Sequence, residues 1–345
     1  MKRGHGESQP LPGTPDGTVP PRKPPALRRR SLALVAAGLL AACAPPHGPP
    51  AIPLPPLPLP AAHPLRSLGG LRLDRAVIGF GGLSGLHVGD DLRLTAVSDT
   101  GRWLRARLVL DATGQPQALA ELDSGPLSDG LLLGLPGRFS LDAESLARLP
   151  DGRFAVGFER WHRIRVYDRI DGWGEPVAVP PGLAEAPLNA SVESLAVLAD
   201  GRWLLITEGL EHAPGLLRGW VGHPGAWVPL SYRPTPGFLP TDLAPLPDGG
   251  ALLVERRFNV WERGFKGRLL HLPAARLAGL GAHNEMQAEV LLDDTQLPRE
   301  NWEGVSTFRW NGQQIIAMMT DDNEFFLQQG LLILFAIKPR GLAQD

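Results

Sequence analysis

One motif recurs along this chain, and its spacing limits what the chain can fold into. The stretch DAESLARLPDGRFAVGFE, from Asp142 to Glu159, joins two apolar runs through Asp151-Gly152. Such a pair of runs reads as a β-hairpin with a two-residue turn, both central residues needing positive φ. That register sets Glu144 directly opposite Glu159. SVESLAVLADGRWLLITEG repeats the unit around Asp200-Gly201, setting Glu193 opposite Glu208. PTDLAPLPDGGALLVERR repeats it around Asp248-Gly249, with Asp242 opposite Glu255. NWEGVSTFRWNGQQIIAMMTDDN turns at Asn311-Gly312, placing Asn301 opposite Asp322 and Glu303 near Asp321. LSGLHVGDDLRLTAVSDT is a weaker first copy without an Asp-Gly turn, its Ser84 and Asp99 spaced like Glu144 and Glu159.

The copies start roughly 48 to 60 residues apart, the period of a β-propeller blade. Apolar residues fill both faces of the hairpins: in the second copy Leu195, Val197, Leu204 and Ile206 are expected on one face, and Ala196, Leu198, Trp203 and Leu205 on the other. Both faces need cover, which stacking blades around a ring provides. The fold expected is therefore all-β, a propeller of four-stranded antiparallel blades. Six blades are favoured, with five as the alternative. Further strands fit Leu104 to Leu110, Gln117 to Leu122, Arg163 to Tyr167 and Pro176 to Val179, and a helical turn fits the AARLAGLGAHNEM stretch. The apolar run Leu331 to Ile337 is expected to complete a blade begun by Leu71 to Phe80 and so close the ring.

Ahead of the repeats lies a different kind of sequence. Arg28-Arg29-Arg30 precedes an apolar run from Leu32 to Ala42, too short to span a bilayer but suited to a secretory signal. It ends in Leu40-Ala41-Ala42-Cys43, which resembles a bacterial lipobox, so residues 1–42 read as a signal peptide and Cys43 as the lipidated first residue of the mature chain. This predicts an envelope protein, anchored to a membrane through Cys43 and facing the periplasm or exterior. Residues 43–65 read as a linker: ten prolines between Pro45 and Pro64 favour a polyproline spacer about 60 Å long that stays out of sheets, or a disordered segment. The propeller domain is expected over residues 66–340. Cys43 is the single cysteine, which leaves no disulfide framework or Cys-based zinc site. Without residues 1–42, which hold seven Lys/Arg and two Asp/Glu, 27 basic face 34 acidic residues, net −7. A mildly acidic body argues against a nucleic-acid partner.

The paired carboxylates carry the chemistry. Like charges opposite one another destabilise a sheet, so a cation, a neighbouring arginine or a shared proton should offset them. In a ring, equivalent hairpin ends converge on one face. Glu144, Glu159, Glu193, Glu208 and Glu303 are the candidate catalytic acids, and Asp99, Asp242, Glu255, Asp321 and Asp322 the candidate metal ligands. Hard oxygen donors in such number suit Ca2+. Arg160 and Arg256 are candidate phosphate-binding groups, since calcium and guanidinium together clamp phosphate; structural ion pairing of the acids with Arg160, Arg256, Arg257 and Arg202 is the competing reading. His87, His162 and His212 lie near repeat ends as possible acids or bases, or simply loop histidines. No G-x-S-x-G elbow, H-E-x-x-H, Walker loop or Rossmann fingerprint is present.

From about Gly81 to Ala336, the units DAESLARLPDGRFAVGFE, VESLAVLADGRWLLITEG, PTDLAPLPDGGALLVERR, NWEGVS and TDDNEF resemble the bacterial "esterase-like activity of phytase" family, the phytase-like domain. The resemblance implies a propeller, secretion, and a phosphoesterase or phosphodiesterase-like activity carried by the repeated acids. Ser84 departs from the acidic pattern. Two functions remain open: a calcium-assisted hydrolase of phosphoesters or other anionic substrates, with a metal-dependent lactonase as its variant, and a non-catalytic envelope lipoprotein whose propeller face binds a ligand or protein.

Overall fold

The computed structural model describes residues 48–128, 142–261, 264–281, 285–325, 327–339 and 342. Cys43 and the expected signal peptide lie outside the described residues. Strand β1 (Ala51–Leu54) pairs antiparallel with β2 (Leu65–Leu73). Part of the proline-rich stretch is thus in a sheet, against expectation. It can be, because β1 is an edge strand, where a missing N–H on the unpartnered side breaks no ladder bond. Sheet structure begins eight residues after Cys43, which removes most of the expected spacer. The short helix α1 (Arg75–Ile78), capped by Asp74 accepting from the Ala76 N–H, replaces the second half of the strand expected over Leu71 to Phe80.

Four sheets follow in chain order. The first blade holds β3 (Leu83–Val88), β4 (Arg93–Ser98), β5 (Arg102–Leu110) and β6 (Pro116–Pro126). The second holds β7 (Ala143–Arg148), β8 (Phe154–Phe158), β9 (Arg163–Tyr167) and β10 (Gly174–Val177). In the third are β11 (Val192–Val197), β12 (Trp203–Ala213), β13 (Leu216–His223) and β14 (Ala226–Tyr232). The fourth has β15 (Leu239–Pro245), β16 (Ala251–Asn259) and β17 (Gly264–Leu272); helix α2 (Ala274–Ala278) and β18 (Glu285–Met286), which joins β14 in parallel, precede its last strand β19 (Glu289–Leu292).

The last sheet closes the ring. Strands β20 (Asn301–Trp310), β21 (Gln313–Asp321) and β22 (Leu331–Ile337) join β2 and β1 in the order β1-β2-β22-β21-β20. The closing partner of β22 is Leu65–Leu73, slightly upstream of the strand expected. First strands β3, β7, β11, β15 and β20 each lie against the next, and β20 lies against β3. This is a five-bladed propeller. Every described strand belongs to one of the five sheets, so nothing remains for a sixth blade.

Five hydrophobic clusters lie one at each blade interface; Val97 and Trp103 of the first blade meet Leu146, Phe154 and Val156 of the second. Adjacent first strands share no ladder bonds, and buried hydroxyls connect them instead: Ser145 Oγ donates to Val192 O, and Thr241 Oγ1 to Trp302 O.

Two local features correct the expected register. The Leu149 N–H donates to Arg153 O and the Gly152 N–H to Leu149 O, so the loop is Pro150-Asp151-Gly152, three residues, with Gly152 at φ 91°. Leu198–Arg202 and Leu246–Gly250 are bonded alike. A type I turn followed by one left-handed residue is the usual three-residue hairpin loop. The aspartate is there because its Oδ1 accepts the N–H two residues on, as Asp151, Asp200 and Asp248 all do. The first copy has the same loop, with Leu92 at φ 62° in the glycine position. Among the inner hairpins, Asn311-Gly312 alone makes the two-residue turn, at φ 47° and 76°.

The second feature is a β-bulge in every first strand, at Glu144, Glu193, Thr241, Glu303 and between Leu83 and Leu86. A bulge sets two residues against one, which shifts everything beyond it. Glu159 therefore lies opposite Asp142, not Glu144, and Glu208 opposite Ser191, not Glu193. Asp321 lies opposite Asn301 and Arg256 opposite Leu239. The faces of β12 exchange too: Leu195, Val197, Trp203 and Leu205 pack toward the second blade, and Ala196, Leu198, Leu204 and Ile206 toward the fourth.

Candidate acidic site

The hairpin loops gather on one face, where Asp90, Ala199, Pro247 and Arg309 line a single depression of about 470 Å³. The bulges and the ends of the second strands therefore lie at the opposite face. Two rings of positions result. Ser84, Glu144, Glu193, Thr241 and Glu303 occupy the bulge, and Asp99, Glu159, Glu208, Arg256 and Asp321 occupy the second-strand end. Seven of the ten are carboxylates and one is a cation. Glu159, Glu193, Glu208, Glu303 and Asp321 are all buried; Glu144 keeps some exposed area although protein surrounds it.

Three devices hold this charge in place. Arg256 sits between Glu208 and Glu303, with Nη2 3.2 Å from one and Nε 2.9 Å from the other. Arg160 pairs with Asp142. Carboxyl groups also meet in hydrogen bonds, Glu144 with Asp142 and Glu159 with Glu193. These do not neutralise the ring. Burial, then the charge of Asp142, holds the Glu144 carboxyl well above the ordinary range, and burial, then Glu144 and Glu208, does the same to Glu193. Burial pushes Glu159 up to about 7, and burial with Glu303 pushes Asp321 up to about 8. Glu208 and Glu303 are raised by burial despite Arg256. Burial opposes the charge on Arg256, yet Glu303, Glu208, Glu193 and Glu144 outweigh it and hold the guanidinium protonated.

The donor set fits a cation. One oxygen each from Asp142, Glu144 and Glu159 lies within 4.8 Å of the others, a spacing that a hard ion with oxygen ligands can bridge. Asp142 was not among the residues singled out by the repeat. It is found only when the three-residue loop and the bulge are both recognised and Glu159 is paired two residues earlier.

Three expected ligands are engaged elsewhere. Asp242 lies one residue past the bulge and accepts the N–H groups of Leu243 and Val305, linking two blades. Glu255 accepts from the Tyr232 hydroxyl and the Thr235 N–H. Asp322 faces Arg75 at 3.6 Å and accepts from the Gly82 N–H. Their places in the two rings belong to Thr241, Arg256 and Asp321. His87 lies toward the loop face, beside a cleft of about 760 Å³ between the first two blades, where burial, then Arg148, lowers it to about 4. Within that cleft Arg105 is paired with Asp123 and Arg93 with Asp91. His162 is near the acidic face, and burial lowers it too.

A family model described as "Phytase-like: Esterase-like activity of phytase" matches residues 78–324. No curated protein matches the chain in sequence. Among solved structures, a gluconolactonase from Xanthomonas campestris is similar over 84% of this chain and 98% of that one, at 14% identity and a TM-score of 0.43. The PQQ-bound aldose sugar dehydrogenase of Streptomyces coelicolor is similar over 84% and 99%, at 13% identity and a TM-score of 0.39. Virginiamycin B lyase from Staphylococcus aureus, solved with quinupristin, is similar over 84% and 82%, at 10% identity and a TM-score of 0.37.

Proposed function

The chain belongs to the phytase-like family of esterase-like activity, and on that premise we propose that its acidic face binds calcium and hydrolyses phosphoesters. The observation that carries this reading is the convergence of Asp142, Glu144 and Glu159 within 4.8 Å, in a ring whose other acids burial pushes toward protonation. All three donors are hard oxygens, which suits calcium with its loose geometry. When bound there, the ion supplies charge that polarises a phosphoryl oxygen.

The chain's own groups do the rest. Arg256, its side chain 22% exposed, has N–H groups beyond those facing Glu208 and Glu303 and can hold a phosphate oxygen. Glu159, as one of the three donors, holds the ion at its carboxylate. Asp321, titrating near 8, is protonated at neutral pH and can give its proton to a departing alkoxide. Arg160 is engaged by Asp142, which leaves Arg256 as the guanidinium assigned to the substrate.

Cys43 is proposed to carry the lipid that fastens the chain to a membrane of the cell envelope. No helix among the described residues is long and apolar enough to cross one. The experiment is thermal denaturation with calcium or a chelator, coupled to turnover of a chromogenic phosphate diester. Stabilisation with turnover supports the proposal. Stabilisation without turnover favours the non-catalytic binding protein, and no stabilisation contradicts the calcium site.

A further inference from the structure

The acidic face carries most of the exposed apolar surface. Trp261 is 94% exposed, Leu327 70%, Val260 69%, Leu188 65%, Phe258 54% and Trp161 52%. Five of them follow a second strand or precede a first strand, and Phe258 lies in the last residues of β16, which puts all six at the acidic end of the blades. Val260 and Trp261 follow β16, whose Arg256 is in the ring; Trp161 follows Glu159 by two residues; Leu327 lies between Asp321 and β22. Leu188 O accepts the Arg160 N–H. Aromatic contact is continuous with the site, since Phe258 packs on Phe265 at 4.8 Å and Arg256 lies over the Phe265 ring at 5.7 Å. Exposed apolar residues of this size, gathered around a polar centre, mark an interaction surface and not random scatter.

The chain also enters from this side. Ala51 pairs with Leu73, Pro50 O accepts the Asp74 N–H, and the Leu73 N–H donates to Gly330 O, all beside the loop that carries Asp322. Eight residue steps separate Cys43 from Ala51, a reach of about 25 Å even in extended polyproline geometry. A lipid on Cys43 would keep the acidic end of the propeller near the membrane surface.

We propose that the apolar crown docks on a phospholipid bilayer and that the phosphoester attacked is a zwitterionic lipid headgroup. This rests on the phosphoester reading above. Charge selects the headgroup: an acidic ring and a body of net −7 repel anionic lipid, whereas a headgroup ammonium faces the carboxylates while its phosphate faces Arg256. Tryptophans and leucines settle at the boundary between headgroups and chains. In the reaction, water oxygen bonds to phosphorus, the bond from phosphorus to the leaving alcohol oxygen breaks, and the proton lost by water replaces the one the alcohol takes up.

Docking is tested in the full chain with Cys43→Ser, which removes the single cysteine. One new cysteine, Trp261→Cys, Trp161→Cys or Trp173→Cys, then carries a fluorophore. Trp173 is 62% exposed, away from the acidic face. With phosphatidylethanolamine–phosphatidylcholine vesicles containing a nitroxide lipid, positions 261 and 161 should be quenched at least about threefold more than 173. Equal quenching at all three positions, or none, overturns the proposal. Turnover is read separately with calcium: Trp261→Ser should lower headgroup release from the vesicles about tenfold and leave a soluble chromogenic diester within about twofold. An equal loss on both substrates overturns the lipid assignment. If the wild type turns over neither substrate, the phosphoester reading fails, and the quenching still decides docking.

Discussion

Glu159→Gln should make the calcium-free protein more stable at pH 8, the reverse of what losing a buried ion pair does. The folded carboxyl titrates near 7 against an ordinary 4.5, burial being the main cause. Between these values the folded state holds a proton that the unfolded state has released, so stability falls as pH rises from 4.5 through 7 and stays reduced above. At about 1.36 kcal/mol per pH unit the full shift is worth about 3 kcal/mol. The side chain is partly solvated, and screening reduces this to about 1 to 2 kcal/mol. Glutamine removes the penalty and can still hydrogen-bond Glu193. For a domain of this size the gain is about 2 to 4 °C in Tm per kcal/mol. Thermal denaturation in chelator at pH 5 and pH 8 reads it: the wild type should be more stable at pH 5, and the variant should narrow that gap by raising the pH 8 value. In calcium the order should reverse, because the variant lacks a ligand. A variant less stable than wild type in chelator at pH 8 would refute the reasoning and identify Glu159 as half of a satisfied ion pair.

Arg256→Met should destabilise the protein by about 3 to 5 kcal/mol in urea denaturation, since it leaves Glu208 and Glu303 buried without their cation; Glu303→Gln in the same chain should recover part of the loss. Gly267→Ala should cost at least about 2 kcal/mol by the same assay, because a Cβ there would stand 2.1 Å from the Trp302 ring and strain the fourth and fifth blades apart. His87, lowered to about 4, contributes stability that is present above 6.5 and lost as pH falls toward 4; His87→Gln should flatten that acid limb. Cys43→Ser should abolish lipid attachment, read by mass spectrometry of the mature chain.

The ring was legible because its repeats are. Asp-Gly at three turns and Asn-Gly at a fourth mark four of the five inner hairpins, and Leu331 to Ile337 is the closing strand, as its apolar run predicts. What the sequence did not reveal was the register. In most antiparallel sheets one buried face pins it, since a one-residue slip exposes the apolar set. Here both faces of β12 are buried between blades, so Leu204 and Leu205 satisfy either register equally. The three-residue loop and the bulge are each a one-residue matter, invisible to hydrophobic pattern, and together they moved Glu159 from Glu144 to Asp142. The fourth blade shows the consequence. Asp242 and Glu255 look like members of the acidic series by eye, yet bulge counting assigns the two positions to Thr241 and Arg256. Charge alone makes Arg256 a candidate for phosphate; its place in the ring, as the cation where other blades carry carboxylates, comes only from the register.

Isothermal titration of the metal-free protein with calcium chloride at pH 7.5 should show one site with Kd at or below about 1 mM, the range of extracellular calcium modules, and release of the proton that burial keeps on Glu144. Glu144→Gln should remove that binding while the protein stays folded. No binding in the wild type up to about 10 mM, or binding unchanged in Glu144→Gln, would contradict a metal centre at the acidic face.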